Sequence, residues 1–244
     1  MRHLFITGVS KGLGQSIAHR LQSDTSRIVG FSRTPRHFKG EFHPCDLSNP
    51  IEASTVIRDA LAEAPLKIGD EIVFISNAGQ LGPLDFLRTL EPKDIQENLT
   101  SNIIGAAVAL QRFLERVRDI DAPKLFLQIS SGAALPERVK PGWSLYCASK
   151  AGQEQLVRTA AIEQTHEAHP SMILNLNPGL METNMQEIIR SASPEAFPDV
   201  DAFIAFKKDG RVPSPDTVAD AIATLIERFP SLENGATYQT AAFQ

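Results

Sequence analysis

The chain of 244 residues is long enough for one large α/β domain or two small ones. Its formal net charge of −5 disfavours a nucleic-acid backbone as the main partner. Its two cysteines are too few for a disulfide framework, so we expect a protein of the reducing cytoplasm. The first apolar run, Leu4–Ile6, is shorter than a secretory leader requires, and no stretch approaches the roughly twenty apolar residues of a membrane span.

Strand-like and helix-like segments alternate along the chain. Short apolar runs bounded by turn residues predict the strands, and apolar residues at helical spacing predict the helices. The predicted strands are Leu4–Ile6, Arg27–Phe31, Glu41–Cys45, Glu71–Ile75, Lys124–Ser130, Ser171–Asn177 and Ala236–Gln239. The predicted helices start at Gly12 or cover Ala53–Leu61, Pro92–Arg118, Leu145–Ala168 and Thr217–Phe229.

This alternation predicts a Rossmann-type α/β fold, with a doubly wound parallel sheet of about seven strands and helices on both faces. We expect a single domain over residues 1–244. Residues 179–215 lack a strong period and contain several prolines, so we interpret them as a substrate loop with short helices. Such sheets bind ligands beyond the carboxyl ends of their strands, where the strand order reverses.

A glycine-rich segment, Thr7–Gly14, joins the first predicted strand to the first helix. Glycines here let the backbone turn tightly and approach a pyrophosphate held at the helix N-terminus. Turns also need glycine for ordinary conformational reasons, so the segment alone does not identify a nucleotide site. The candidate cofactor ligands in it are Gly8, Ser10, Lys11, Gly12, Leu13 and Gly14.

Further motifs follow later strands in a regular order. The glycines have the spacing T-G-x-x-x-G-x-G, and the later motifs are Ser76-Asn77-Ala78-Gly79, Tyr146-x-x-x-Lys150 and Pro178-Gly179-x-x-x-Thr183. From Thr7 to about Met185 the chain therefore resembles the short-chain dehydrogenase/reductase family. The resemblance implies carbonyl chemistry by hydride transfer to or from a nicotinamide cofactor. It also implies that the cofactor is bound by Asn77, Ala78, Gly79, Tyr146, Lys150, Pro178, Gly179 and Thr183.

The charge at the end of the second strand distinguishes NADP from NAD. An acidic residue there would bind the ribose 2′-hydroxyl of NAD, whereas arginine suits the 2′-phosphate of NADP(H). The strand ends at Arg33 without an acid, and Lys11 adds a second cation, so we expect NADP(H). The alternative is that both cations are solvated surface charges. Asp46 resembles the family's adenine-binding residue, or else shares a helix N-cap role with Ser48.

Tyr146 and Lys150 are four residues apart on a predicted helix, so their side chains face the same side. A nearby ammonium favours phenolate, so we expect Lys150 to bring the pKa of Tyr146 toward working pH and make Tyr146 the general acid. The resemblance implies that Lys150 also bonds the nicotinamide ribose. It further implies that Asn102 anchors a water in a proton relay.

A serine at the end of the fifth strand is expected to hold the carbonyl oxygen. The resemblance favours Ser131, the second serine of a pair. Fifteen positions separate Ser131 from Tyr146, more than in common family members, so we expect a bulge within Gly132–Gly142. Because of this longer connection, Ser130 and Ser144 stay open as alternatives.

The segments around Tyr146 and Thr183 resemble the sepiapterin reductase and benzil reductase branch of the family. Gln239 lies where sepiapterin reductases have a pterin-anchoring aspartate, and glutamine cannot form that charge-assisted bond. We therefore expect reduction of a ketone or diketone. A true sepiapterin reductase and an NADP-binding sensor with little turnover are the alternatives, although a sensor needs none of the proton-transfer residues.

The remaining expectations concern metals and self-association. His166 and His169 lie near a helix end without a third ligand in view, so no metal site is predicted. The apolar stripes of Pro92–Arg118 and Leu145–Ala168 resemble the family's four-helix interface and predict a homodimer or homotetramer. The alternative is that both stripes only cover the sheet.

Overall fold

The computed structural model describes residues 1–244 and contains one sheet of seven parallel strands, in the order β3-β2-β1-β4-β5-β6-β7. The strands are β1 Arg2–Thr7, β2 Ser26–Ser32, β3 Glu41–Pro44, β4 Glu71–Ser76, β5 Lys124–Ile129, β6 Met172–Asn177 and β7 Thr237–Gln239. The order reverses between β1 and β4, which are hydrogen-bonded neighbours. This confirms the predicted doubly wound parallel sheet and locates its switch point.

Helices cover both faces of the sheet, as predicted. They are α1 Gly12–Arg20, α2 Pro50–Glu63, α3 Pro92–Leu99, α4 Gly105–Val117, α5 Ser144–Glu163, α6 Asn184–Arg190, α7 Val200–Lys208 and α8 Pro215–Arg228. The apolar residues of α1 and α8 pack in one core, and those of α2, α4 and α5 pack in another. No helix of the chain is both long enough and apolar enough to cross a membrane.

Strand side chains alternate between these two cores because successive side chains of a strand point to opposite faces. In β1, Leu4 and Ile6 enter the α1–α8 core, whereas Phe5 enters the other. The Phe5 ring stacks on Phe74, and Phe74 stacks on Phe126, with ring centroids 6.3 and 5.3 Å apart. Burying each such ring stabilises the fold by about 1.5–3 kcal/mol. A shift of β1 by one residue would move Phe5 out of its core, so this burial also fixes the register of the strand.

The first of the two long helices differs from the prediction in its middle. Pro92–Arg118 was expected to be regular, but α3 and α4 are joined by a π-helical turn, Thr100–Ile104. A π-helical turn inserts an extra residue and changes which side chains face the neighbouring elements. Asn102 is the fully buried residue of this turn. Apolar periodicity cannot reveal such an insertion, because the residues on either side keep their helical spacing.

The second long helix is present, and residues 179–215 contain short helices, as expected; the role of this region as a substrate loop stays a prediction. Helix α5 ends at Glu163 and continues as one 3₁₀ turn, Gln164–His166, which stops short of the expected Ala168. Residues 179–215 contain two short helices, α6 and α7, joined by turns.

Candidate active site

A cleft of about 1250 Å³ lies at the carboxyl ends of the strands. Most of the predicted cofactor ligands line it, from the glycine-rich segment to the segment after β6. These are Gly8, Ser10, Lys11, Gly12, Leu13, Arg33, Asp46, Asn77, Ala78, Gly79, Tyr146, Lys150, Pro178 and Thr183. Four predicted residues, Gly14, Ser131, Asn102 and Gly179, lie behind or beside this lining.

The glycine-rich segment is shaped by two close approaches. Gly8 has a φ of 77°, and a side chain there would place its Cβ 2.9 Å from the side-chain nitrogen Nδ2 of Asn77. A Cβ on Gly14 would lie 2.2 Å from the carbonyl oxygen of Gly8. Gly14 therefore allows the turn to close on α1, which explains its absence from the cleft wall. Helix α1 begins without a side-chain cap from Lys11, so the N–H groups of its first turn are available to an anion.

Thr7 joins the two loops at the switch point, a role that the sequence analysis did not assign. Its hydroxyl oxygen accepts hydrogen bonds from the backbone N–H groups of Asn77 and Ala78, both at 3.0 Å. The side-chain amide of Asn77 in turn donates to the backbone carbonyl oxygen of Thr7 at 3.1 Å. The threonine at the start of the glycine motif was the available signal. These hydrogen bonds hold the glycine-rich segment after β1 against the loop after β4.

The open end of the cleft, where Lys11, Arg33 and Arg36 lie, is rich in exposed cations. None of these three side chains forms an ion pair within the chain, whose ion pairs all involve other residues. Such a cluster of unpartnered cations suits a phosphate group. Arg36 was not predicted, and its φ of 42° is the only left-handed value outside glycine.

Asp46 also lies at this end, but it does not cap a helix. Its carboxylate accepts hydrogen bonds from the Ser48 backbone at 3.0 Å and the Ser48 hydroxyl at 2.8 Å. The residue that caps α2 is Asn49, whose side chain accepts from the N–H of Glu52 at 3.4 Å. The N-cap alternative for Asp46 and Ser48 is therefore wrong, because the helix begins later than that interpretation needed.

The buried end of the cleft contains Tyr146 and Lys150, one turn apart on α5. The ammonium of Lys150 lies 5.9 Å from the centre of the Tyr146 ring and donates a 2.8 Å hydrogen bond to the carbonyl oxygen of Ile129. Burial lowers the pKa of Lys150 to about 8, against the opposing charge of Glu154. Burial raises the pKa of Tyr146, while hydrogen bonding with Ser131 acts to lower it. Burial therefore leaves the pKa of Tyr146 above its ordinary value, although Lys150 was expected to lower it.

The two serines after β5 have separate environments. Ser130 is buried, and its hydroxyl donates a 2.5 Å hydrogen bond to Glu154. Ser131 is half-buried, accepts a 3.2 Å hydrogen bond from the N–H of Ala133, and is the serine that interacts with Tyr146. Ser144 is exposed at the start of α5. Ser130 lines the cleft and Ser131 does not, but of the three serines only Ser131 acts to lower the pKa of Tyr146.

The lengthened connection between Ser131 and Tyr146 forms two short turns. They are 3₁₀ turns over Gly132–Ala134 and Pro136–Arg138. The extra residues thus bulge between Gly132 and Gly142, as expected.

Asn102 links the π-helical turn to the loop after β4. Its side-chain oxygen accepts from the N–H of Gln80 at 2.9 Å, and its amide donates to the carbonyl oxygen of Gln80 at 2.8 Å. The amide also contacts the Ser149 hydroxyl at 3.1 Å. Asn102 thus fixes a loop of the cleft wall and lies against α5. The expected role in a water relay stays a prediction.

An aromatic cluster adjoins Tyr146 on the side of the 179–215 region. The Trp143 ring lies 5.6 Å from the Tyr146 ring, 5.3 Å from Phe197 and 5.5 Å from Phe203. Phe203 belongs to α7, so this region packs directly against the end of the cleft where Tyr146 lies. The three rings are buried behind the cleft, and Leu81 and Met185, which pack with them, provide its apolar lining near Tyr146.

Comparison with known proteins agrees with these features. The family model described as short chain dehydrogenase matches residues 2–194. The benzil reductase ((S)-benzoin forming) of Bacillus subtilis (strain 168) is 32% identical over all of this chain and all of its own. The sepiapterin reductase of Xenopus tropicalis is 26% identical, with 91% of this chain and 90% of its own covered.

A solved structure supports the fold alone. A short-chain dehydrogenase/reductase from Saccharomyces cerevisiae superposes with a TM-score of 0.83 at 19% identity, covering 100% of both chains. The family uses a nicotinamide cofactor, and the cleft described above has the glycine turn and cations to bind one. The protein is therefore an oxidoreductase of the short-chain dehydrogenase family, in the branch that includes the benzil and sepiapterin reductases.

Proposed function

We propose that the protein is an NADP(H)-dependent carbonyl reductase that converts a ketone or diketone to an alcohol. The observation behind this proposal is the placement of Tyr146 and Lys150 in the wall of the same cleft as the glycine turn. A protein that only sensed the cofactor would not need a buried phenol and ammonium beside an apolar wall. The similar Bacillus subtilis and Xenopus tropicalis proteins are reductases of benzil and sepiapterin, which are carbonyl compounds.

Each catalytic group has a role that its surroundings support. The bound cofactor supplies the hydride, and Tyr146 gives a proton to the carbonyl oxygen. Ser131 donates a hydrogen bond to that oxygen, because it is the serine beside the phenol. Lys150 favours the phenolate that remains and bonds the nicotinamide ribose. Its hydrogen bond to the carbonyl oxygen of Ile129 fixes where the ammonium lies.

The preference for NADP(H) rests on charge. Lys11 and Arg33 line the open end without an internal ion pair, so their charges are available to the 2′-phosphate. Strand β2 ends without the acidic residue that would bind the 2′-hydroxyl of NAD. Asp46 is hydrogen-bonded to Ser48 within the chain, and the three cations Lys11, Arg33 and Arg36 outnumber its single carboxylate at this end.

The substrate class follows from the wall beside Tyr146. Leu81, Met181 and Met185 line the cleft and offer apolar surface for a substrate with ring substituents. Gln239 pairs with Asn177 at the end of β6, next to the cleft, and cannot supply the charge that anchors a pterin. A vicinal diketone with aromatic substituents therefore suits the site better than sepiapterin.

We also propose that the protein is a homodimer or homotetramer assembled through α4 and α5. Ile104, at the entrance to α4, and Ile162, near the end of α5, are large apolar side chains that are 46% and 67% exposed. Such residues are stabilised when a second copy covers them. Sedimentation that shows only monomer at micromolar concentration would remove this proposal.

The decisive experiment is a panel of carbonyl compounds with NADPH and NADH, followed by nicotinamide absorbance. We expect turnover of benzil and related diketones with NADPH, slower turnover with NADH, and little with sepiapterin. Tyr146→Phe serves as the inactive control. Binding of NADPH without turnover of any carbonyl would favour the sensor. Sepiapterin as the best substrate would correct the substrate class.

A further inference from the structure

A buried carboxylate lies one turn beyond Lys150, outside the set of residues discussed so far. Glu154 is 2% exposed, and carboxylates are almost never fully buried unless they are paired. Tyr146, Lys150, Glu154 and Arg158 follow one another at intervals of four residues on α5, so they form a row along one side of the helix. Phenol, ammonium, carboxylate and guanidinium thus alternate in sign after the tyrosine.

Every polar contact of the Glu154 side chain is with a donor. One oxygen accepts from the Ser130 hydroxyl at 2.5 Å. The other accepts from Arg158 at 2.6 Å and from the Thr237 hydroxyl at 3.4 Å. Arg158 can only donate, so the second oxygen accepts from it and forms an ion pair with the guanidinium. Glu154 is therefore a charged residue held between the end of β5, its own helix and β7.

Its position connects it to both halves of the proposed chemistry. On one side is Ser130, which directly precedes Ser131 and is anchored by a 2.8 Å backbone bond to Leu176. On the other is Lys150, whose ammonium is 4% exposed and has a single hydrogen bond, to a backbone carbonyl. An ammonium buried this deeply with one neutral partner tends to lose its proton.

We infer that Glu154 is a positioning residue for carbonyl reduction: its anchored carboxylate, one helical turn from Lys150, keeps that ammonium charged beside Tyr146. This inference rests on the proposed function for its role in turnover. The effect of the Glu154 charge on the pKa of Lys150 involves only residues of this chain and does not depend on turnover.

The groups that face Lys150 support this assignment. On α5 its neighbours one turn away are Tyr146 and Glu154, with Arg158 a further turn away. From other elements, Lys150 faces the carbonyl oxygen of Ile129 and the backbone of Gly79, neither of which is charged. Glu154 is also the one charged group that acts to raise the pKa of Lys150 against burial.

Direct titration of Lys150 tests the electrostatic part without requiring turnover. The ¹³Cε signal of Lys150 in lysine-labelled protein is assigned from its loss in Lys150→Met, and its pKa is followed with pH. Glu154→Gln keeps the size of the side chain and one oxygen for Ser130. It should lower the pKa of Lys150 by about one unit, because a charge one helical turn away is lost.

Two variants serve as controls. Glu163→Gln makes the same chemical change at an exposed position near the end of α5 and should shift nothing. Arg158→Gln removes the cation that offsets Glu154, so it should move the pKa of Lys150 upward. Arg158 is 44% exposed, so this variant tests the inference even if Glu154→Gln does not fold. An unchanged pKa in either Glu154→Gln or Arg158→Gln would overturn the inference.

The pH dependence of kcat/KM for carbonyl reduction tests the catalytic part. The alkaline limb, on which the Lys150–Tyr146 pair loses its proton, should move to lower pH in Glu154→Gln and to higher pH in Arg158→Gln. A uniform loss of activity with an unmoved limb would show a merely structural role and overturn the assignment. An active Tyr146→Phe enzyme would instead refute the proposed function. The titration of Lys150 would still test whether Glu154 raises its pKa.

Discussion

The two ends of the cleft are built on opposite principles. At the open end, Lys11, Arg33 and Arg36 are exposed and have no ion pair within the chain. At the buried end, Tyr146 and Lys150 are 7% and 4% exposed, and their neighbours are connected by hydrogen bonds. The open end thus offers hydrated charges to a ligand, whereas the buried end fixes its groups before any ligand arrives.

This difference determines how substitutions should behave. A cation at the open end has no internal partner, so its removal costs only its own contacts with the ligand and leaves the fold unchanged. A residue at the buried end is shared among several partners, so its removal also changes the pKa or position of its neighbours. Binding and turnover should therefore respond separately at the two ends.

The largest effect is expected at the buried end, for Tyr146→Phe. General acid catalysis contributes typically 10²–10⁴-fold, so kcat should fall by about that factor with a good diketone substrate. The affinity for NADPH should persist, because the phenol hydroxyl is not part of the expected phosphate or adenine site. Steady-state kinetics and fluorescence titration measure the two quantities. Turnover near the wild-type value would mean that the proton comes from another group.

The next effect separates the two serines after β5. Ser131→Ala should lower kcat by roughly 10²-fold, because a donor to the carbonyl oxygen is lost. Ser130→Ala should lower it much less, since the hydroxyl of Ser130 already donates to Glu154. Ser144→Ala is the control, at an exposed position on the same connection. The reverse ranking of Ser130 and Ser131 would move the oxygen ligand to Ser130.

The sequence predicted the open end better than the buried end. The parallel sheet, the glycine turn and the place of Arg33 in the cleft follow from alternation, spacing and charge, which are local properties of the chain. The family resemblance also indicated Tyr146 and Lys150. The predicted bounds of β1, β2 and β4 were one or two residues too short, because charged and polar residues such as Arg2 and Thr7 extend these strands, whereas those of β3, β5, β6 and β7 were one residue too long.

The connections at the buried end depend on contacts between distant residues. The hydrogen bond from Ser130 to Glu154 spans 24 positions, and the contact between Asn102 and Ser149 spans 47. The π-helical turn that presents Asn102 leaves the apolar period on either side intact. The row of polar residues at intervals of four on α5 was a visible signal for Glu154, but burial was needed to distinguish it from a solvated face.

A smaller effect is expected at the open end, for Arg33→Ala. Loss of charge-assisted hydrogen bonds to the 2′-phosphate should weaken NADPH by about 1.5–3 kcal/mol and leave NADH nearly unchanged. Isothermal titration with both cofactors measures the difference, and added salt should reduce it. Arg58→Ala, at an exposed arginine outside the cleft, is the matched control. Equal weakening of both cofactors would exclude Arg33 as the 2′-phosphate ligand.

The smallest effect concerns the stability cost of the buried end. The pKa of Lys150 is about 8 in the folded chain, against an ordinary value of 10.5, so the folded state binds its proton more weakly than the unfolded state. Below pH 8 both states are protonated, and folding bears the full cost of the buried charge, about 3 kcal/mol. Between pH 8 and 10.5 only the unfolded state keeps the proton, so this cost disappears as the pH rises.

Lys150→Met should therefore be inactive and yet more stable than the wild type at pH 7. The gain should be about 2 kcal/mol, because the lost hydrogen bond to the carbonyl oxygen of Ile129 offsets about 1 kcal/mol. Urea unfolding at several pH values measures the difference, which should shrink above pH 8 and vanish or reverse near 10.5. Lys93→Met, at an exposed lysine, should show no such trend. A stability difference independent of pH would mean that Lys150 bears no cost of burial, and that the catalytic end resembles the open end after all.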